Sequence, residues 1–283
     1  MHLTPHFPDI KIVSLRQCIA HEGVVKRWVD EIATNLQDAG VMKNPIIVTR
    51  PDRRGRRIVI DGMHRFAALR ALEIADVLVY EIDYESDEIQ LSGWDAMILR
   101  SFDAKKFLHK HFTNTRGITM TTTRKAETAA AAVNTRAALA AVGDRRGPFH
   151  LITRGHTATV DECVQCSVQI DTALDAARLR PVYVADALSL EDFKRTDAHG
   201  IVMRPHYSKT EIQSRTLAGK LFPRKSTRHL IPHRPLRVDV GIALLRAQLP
   251  LAAKNKVLRE HLRWCYEADR IRYYPESVFV FSD

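Results

Sequence analysis

Arg57-Ile58-Val59-Ile60-Asp61-Gly62-Met63-His64-Arg65-Phe66-Ala67-Ala68-Leu69-Arg70-Ala71-Leu72 is the stretch whose reading decides the fold. Its first four residues, with three β-branched side chains in a row, predict a strand. The run from about His64 to Leu72 predicts a helix. Gly62 sits at the junction, where a tight turn needs a residue tolerant of positive φ. A strand, a glycine turn and a helix start bring backbone N–H groups, a carboxylate, an imidazole and a guanidinium to one point. A helix N-terminus carries unsatisfied donors and a partial positive charge, so it suits a phosphate. The same string also reads as an ordinary βα turn capped by a buried Asp61, and the motif alone leaves both readings open.

Working outward, Ile10 to Leu15 predicts a first strand, and His21-Glu22 lies in the connection after it. Val25, Trp28, Val29, Ile32 and Leu36 recur at helical spacing, and Gly40 is placed to close that helix. Pro45 to Thr49 and Val77 to Ile82 predict further strands. The expected N-terminal domain, residues 1–95, is therefore a compact α/β unit of ordinary domain size. Beyond it, Trp94 to His111 reads as a helix, Thr119 to Thr123 as a polar interruption, and Ala126 to Val142 as an alanine-rich helix. Residues 143–148 read as a loop, and Pro181 to Ala185 as a strand. Ser208-Lys209-Thr210-Glu211 fits a capping box, with Gly219 placed to stop the helix. Ser277 to Phe281 predicts a last strand. The simplest description is a second α/β domain, residues 96–283, so the fold class is α/β (α+β).

The bulk numbers narrow the function. The chain has 283 residues, 45% hydrophobic and 27% charged, as in soluble globular proteins. No apolar run approaches bilayer length, and residues 1–9 lack the basic and apolar regions of a signal peptide, so a cytoplasmic protein without membrane partners is expected. A formal charge of +10 points to an anionic partner: nucleic acid, nucleotide or phosphorylated metabolite. Cys163 and Cys166 form a lone CxxC, with Cys18 and Cys265 isolated. Even with His156 as a third ligand, a structural zinc would lack its usual fourth, so two ordinary thiols near a surface loop are expected.

Two other stretches carry chemistry. In Leu15-Arg16-Gln17-Cys18-Ile19-Ala20-His21-Glu22, the carboxylate of Glu22 lies on a turn where it could remove a proton from an alcohol or, with Asp61, hold Mg²⁺ among phosphate oxygens. Leu221-Phe222-Pro223-Arg224-Lys225-Ser226-Thr227-Arg228-His229 packs cations and hydroxyls closely enough for an anion clamp, though a basic surface loop has the same composition.

Taken together and in order, these stretches resemble the free L-serine kinases built on the ParB/sulfiredoxin-like fold, the archaeal ADP-dependent enzyme and the ATP-dependent enzyme of siderophore biosynthesis among them. The matching residues are His21-Glu22, the run from Gly40 to Val48, Asp61-Gly62-Met63-His64-Arg65, the run from Gly200 to Pro205, the run from Gly219 to His229, and Tyr273-Tyr274-Pro275-Glu276. The resemblance implies transfer of a phosphoryl group from ATP or ADP, with Mg²⁺, to the hydroxyl of free L-serine. It implies Glu22 and Asp61 as catalytic residues, with Asp61 also toward Mg²⁺. It implies Gly62, Met63, His64 and Arg65 toward the nucleotide, and Trp94, Lys225, Thr227, Arg228 and His229 toward the substrate. The expectation is that Glu22 and Asp61 converge with the 225–229 segment on one magnesium-nucleotide pocket. Met63 stands where that family usually has a histidine, and Arg224 where it usually has a proline. The stretch from about Thr113 to Cys166 has no clear counterpart.

Rival functions follow from the same fold. A ParB-like DNA-binding regulator fits the basic charge, but no convincing helix-turn-helix follows residue 95, and that reading leaves Glu22 and the 225–229 cluster without a role. A sulfiredoxin-like repair enzyme would need a cysteine in the phosphate turn, where this chain has Met63 and His64.

Overall fold

Alternation along the first strands divides one sheet into two covered faces. In this computed structural model, which describes residues 7–113 and 115–274, the first elements are β1 (Ile10–Ser14), β2 (Cys18–Ala20), α1 (Lys26–Ala39), β3 (Val41–Met42), β4 (Ile46–Thr49), β5 (Arg57–Asp61), α2 (Met63–Ala71) and β6 (Asp76–Ile82). Five of the strands form a mixed sheet in the order β1-β6-β4-β5-β2, with β4 parallel to β6 and β2 parallel to β5. Ile46, Val48 and Val59 face a core shared with Val29 and Leu36 of α1 and Phe66 and Leu69 of α2. Their neighbours Ile47, Ile58 and Ile60 turn the other way, into a smaller cluster with Tyr80, Tyr84 and Ile89. Gly40 ends α1 at φ 64°, as its spacing predicts.

A second compact unit spans 90–230. It runs β7 (Gln90–Ser92), β8 (Trp94–Ile98), α3 (Ala104–Phe112), β9 (Thr119–Thr123), α4 (Ala126–Asn134), β10 (Ala140–Asp144), β11 (Phe149–Thr153), α5 (Val160–Ala176), β12 (Val182–Ala185), α6 (Asp186–Arg195), β13 (Gly200–Met203), α7 (Lys209–Leu217) and β14 (Arg228–Leu230). Six strands make an antiparallel sheet in the order β12-β8-β13-β10-β11-β9. Ala96, Ile98, Ala140, Val142 and Val202 pack with α3 and α5, while Met97, Ala141, Ile201 and Met203 pack with α4 and Phe193 of α6. The unit is therefore three layers, helices on both faces of a sheet.

The chain then returns to the first unit, which comprises 1–89 together with 231–283. There β15 (Val240–Gly241) pairs with β3, followed by α8 (Ile242–Arg246) and α9 (Leu251–Glu267). Ile242, Leu245 and Leu258 enter the main core of that unit. Lys254, 1% exposed, donates to Asp76 at 2.6 Å and to the Leu245 carbonyl at 2.8 Å, so its buried charge is paired.

Several sequence expectations differ from this structure. Trp94–Ile98 is a strand rather than the start of a helix reaching His111. Helices cover both its faces, so apart from the buried Asp95 both are apolar and no exposed polar side marks it. The alanine-rich run is helical only to Asn134. Ala140, Ala141 and Val142 form an interior strand in which small side chains lie under the flanking helices. Cys163 and Cys166 lie on α5, buried, rather than near a surface loop; burial pushes their thiols up to about 11 and about 12, which keeps them protonated. The two-part division also differs, since 231–283 clusters with the N-terminal unit. The expected strand at Ser277 to Phe281, and Pro275-Glu276, lie outside the described residues.

Candidate functional site

β2 and β5 run parallel with Ala20 opposite Val59, so their C-terminal ends lie at the same edge of the first sheet. Two residues beyond that pair on each strand stand Glu22 and Asp61. His21 is buried, and its Nδ1 lies 2.6 Å from the Val59 carbonyl. A carbonyl only accepts, so the proton is on Nδ1, and Nε2 faces Glu22 at 3.8 Å. The Glu22 side chain is 13% exposed, held at the edge rather than free in solvent.

Gly62 takes φ 88° and ψ 30°, and α2 begins at the next residue with no side chain capping it. The first turn of a helix gathers N–H groups at a point of partial positive charge, which suits an anion. A Cβ at Gly62 would come within 2.9 Å of Ile46 Cγ2 and of an Arg65 nitrogen, so only glycine lets the turn close. His64 Nε2 accepts the Val25 N–H at 3.1 Å, which ties α2 to the start of α1 and fixes the imidazole proton on Nδ1. Its ring lies 5.3 Å from that of Trp28. Met63 contributes its side chain to the core, so what it presents to the turn is its backbone N–H.

Asp61 is gripped by two guanidinium groups, Arg65 at 3.3 Å and Arg234 at 2.5 Å, both on Oδ2. Arg65 also donates to the Pro45 carbonyl at 3.3 Å, while its buried Nε has no partner among the described residues. Burial lowers the Arg65 pKa, against the pull of the Asp61 charge. The result is one carboxylate between two cations beside a helix start, an arrangement with one positive charge in excess that suits a phosphate.

The second unit holds the other cluster. Trp94 opens β8, and its indole Nε1 donates to the Thr227 carbonyl at 3.0 Å. Lys225 Nζ lies 4.4 Å above the Trp94 ring, and the Arg228 guanidinium 5.4 Å from it. Lys225 takes φ 58°, an uncommon conformation for a non-glycine residue. Arg228 pairs with Ser92 across β14 and β7, and donates to its hydroxyl at 3.4 Å. His229 faces Leu91 in the same ladder. Thr227 and Ser226 are buried, and the Ser226 hydroxyl has no partner among the described residues. Arg224 lies over the Tyr183 ring at 5.3 Å.

Each unit thus gathers its own share of the residues singled out in the sequence. Glu22, Asp61, Gly62, His64 and Arg65 stand at one sheet edge; Trp94, Lys225, Thr227 and Arg228 form one aromatic–cationic cluster. Arg234 was missed, because nothing in the spacing ties it to Asp61, 173 positions away. Among the described residues no group of three or more His, Cys, Asp or Glu side chains could hold a metal ion.

These features define a class: an α/β protein with the fold shared by free serine kinases and ParB-like proteins. No family model matches the chain. An ATP-dependent L-serine kinase of Desulfurococcus mucosus is 22% identical over 240 residues, 83% of this chain and 90% of that protein. An ADP-dependent L-serine kinase of Thermococcus kodakarensis is 21% identical over 237 residues, 83% of this chain and 92% of that protein. A solved structure of a free serine kinase in complex with AMP superimposes with a TM-score of 0.70 at 18% identity, covering 84% of this chain and 94% of that one. The chain is a distant relative of the free serine kinases over most of its length.

Proposed function

We propose that this protein phosphorylates the hydroxyl of free L-serine, using ATP or ADP, to give O-phospho-L-serine. One observation supports this reading above the others. Of the residues to which the resemblance gives a role, Glu22, Asp61, His64 and Arg65 stand at one sheet edge and Trp94, Lys225, Thr227 and Arg228 gather in one aromatic–cationic cluster, while Met63 packs in the core.

Phosphoryl transfer asks a protein for positioning and charge neutralisation more than for covalent help. Glu22 takes the proton from the serine hydroxyl, whose oxygen attacks the terminal phosphorus. The bond from that phosphorus to the bridging oxygen breaks, and the shortened nucleotide leaves. The first-turn N–H groups of α2, with Arg65 and Arg234, hold the nucleotide phosphates. Lys225 and Arg228 take the carboxylate of the amino acid, with Trp94 beneath them and Thr227 and His229 beside them.

Mg²⁺ suits the donor chemistry in one way only. With no cage of protein ligands among the described residues, it would sit chiefly on phosphate oxygens, with Asp61 offering the oxygen that the two arginines leave. When bound, it neutralises charge building on the phosphoryl oxygens. No helix among the described residues is long and apolar enough to cross a membrane.

Glu22→Gln tests the base. Removing a positioned base costs about 10² to 10⁴ in rate, so phosphoserine formation should fall by that factor with the circular dichroism spectrum and nucleotide affinity retained. A variant as active as wild type contradicts the assignment.

A further inference from the structure

Gly93 separates Ser92, the last residue of β7, from Trp94, the first of β8. Both neighbours belong to the aromatic–cationic cluster. Asp186, at the start of α6, holds this joint from three directions. Its carboxylate accepts from the Ser92 hydroxyl and, at 3.2 Å, from the Gly93 N–H, while its own N–H donates to the Gly93 carbonyl at 3.2 Å. The second carboxylate oxygen lies 2.8 Å from His206 Nε2. That imidazole packs so closely on Gly93 that a Cβ there would come within 2.7 Å of ring atoms Cδ2 and Nε2. His206 is anchored in turn, since Arg136 donates to its carbonyl at 3.1 Å and is itself gripped by Glu211 at 2.6 and 2.7 Å.

The direction of the Ser92 hydroxyl matters. A carboxylate only accepts, so Asp186 takes the Ser92 proton and leaves the oxygen lone pairs for Arg228. Bonding to Asp186 raises the His206 pKa. Burial pushes the Asp186 carboxyl up, but the bonds from His206 and Ser92 outweigh it and hold it well below the ordinary range. Both shifts favour the imidazolium–carboxylate form of the pair.

We propose that Asp186 and His206 are positioning residues for the amino-acid substrate: by locking the Ser92-Gly93-Trp94 joint, they set where Arg228 and Lys225 meet the substrate carboxylate. This rests on the serine kinase reading. In Asp186→Asn the amide can turn an N–H toward Ser92, reversing that hydroxyl and removing the charge opposite His206.

The test is steady-state kinetics of Asp186→Asn, His206→Gln and His206→Ala. Loss of a charge-assisted bond predicts a rise of about tenfold in the KM for L-serine, with nucleotide KM and kcat within about twofold of wild type. His206→Gln, which keeps a donor, should lie nearer wild type than His206→Ala. An unchanged serine KM, or equal rises for serine and nucleotide, overturns the proposal. A second arm is independent of activity. Trp28→Phe with Trp264→Phe leaves Trp94 as the one tryptophan of three. In that background Asp186→Asn should shift the Trp94 emission and its quenching by iodide, and unchanged fluorescence overturns the proposal whatever the kinetics. A wild-type protein that makes no phosphoserine overturns the kinase reading instead, and the fluorescence then decides whether the pair holds the joint.

Discussion

Gly62 carries more of the account than its size suggests. Its φ of 88° costs an L-residue roughly 1–2 kcal/mol, and the 2.9 Å approach to Ile46 Cγ2 adds a clash that the packed strand can relieve only by moving. Gly62→Ala should therefore lower the unfolding free energy by about 2 kcal/mol or more and weaken nucleotide binding, because the helix start must shift with the turn. Urea unfolding and nucleotide titration check both parts; an unaltered midpoint and affinity would show that the turn tolerates a side chain. At this scale the sequence was readable wherever chemistry and local geometry coincide, as in Asp61-Gly62-Met63-His64-Arg65. It was unreadable where a partner comes from far along the chain. Arg234 on Asp61, and Asp186 and His206 behind Trp94, have no local signature at all, since a long-range ion pair leaves no period and no spacing.

The elements were legible in proportion to how differently their two faces are covered. In the first sheet, strands ending at short turns and helices closed by Gly40 were readable from spacing. Trp94–Ile98 and Ala140–Val142 were read as helix because both faces lie under helices, so no exposed polar side marks the strand. The capping box of α7 was plain from Ser208 and Glu211, and both of its bonds form. What the sequence hid is that Glu211 also grips Arg136. That bond, with the Ser208 N–H and against the opposing effect of burial, lowers its carboxyl from 4.5 to about 2. A depressed carboxylate contributes stability in full above its unfolded value and loses it as the pH falls through the folded one. Stability should therefore drop between about pH 4.5 and pH 2 partly on account of this group. Glu211→Gln should flatten that part of the curve while lowering stability at pH 7. Chemical denaturation across the range measures it, and parallel curves for variant and wild type would contradict it.

At the scale of the whole molecule, the chain leaves its first unit at residue 89 and re-enters it at 231. Val238, Val240, Ile242, Leu245 and Leu258 from the returning segment fill the same core as β1 and α2. A division at residue 95 is natural in a sequence read from left to right, because helices α8 and α9 carry no mark of the partner they pack on. It follows that a fragment of residues 1–95 should fail to unfold cooperatively in denaturant, having lost one wall of its core, whereas the same fragment joined by a short linker to 231–274 should regain a sigmoidal transition. Cooperative unfolding of 1–95 alone would contradict this view of the unit.

The charge of +10 suits a protein that handles two anionic groups, a nucleotide and an amino-acid carboxylate. The central claim is that the protein transfers a phosphoryl group from the nucleotide to the hydroxyl of L-serine. The direct measurement is ³¹P NMR of the purified protein with Mg²⁺, L-serine and either ATP or ADP, run beside Glu22→Gln. The account predicts growth of an O-phosphoserine resonance with at least one nucleotide in wild type, and its loss in the variant. Nucleotide consumed to free phosphate without phosphoserine, or no turnover with either donor, would contradict it.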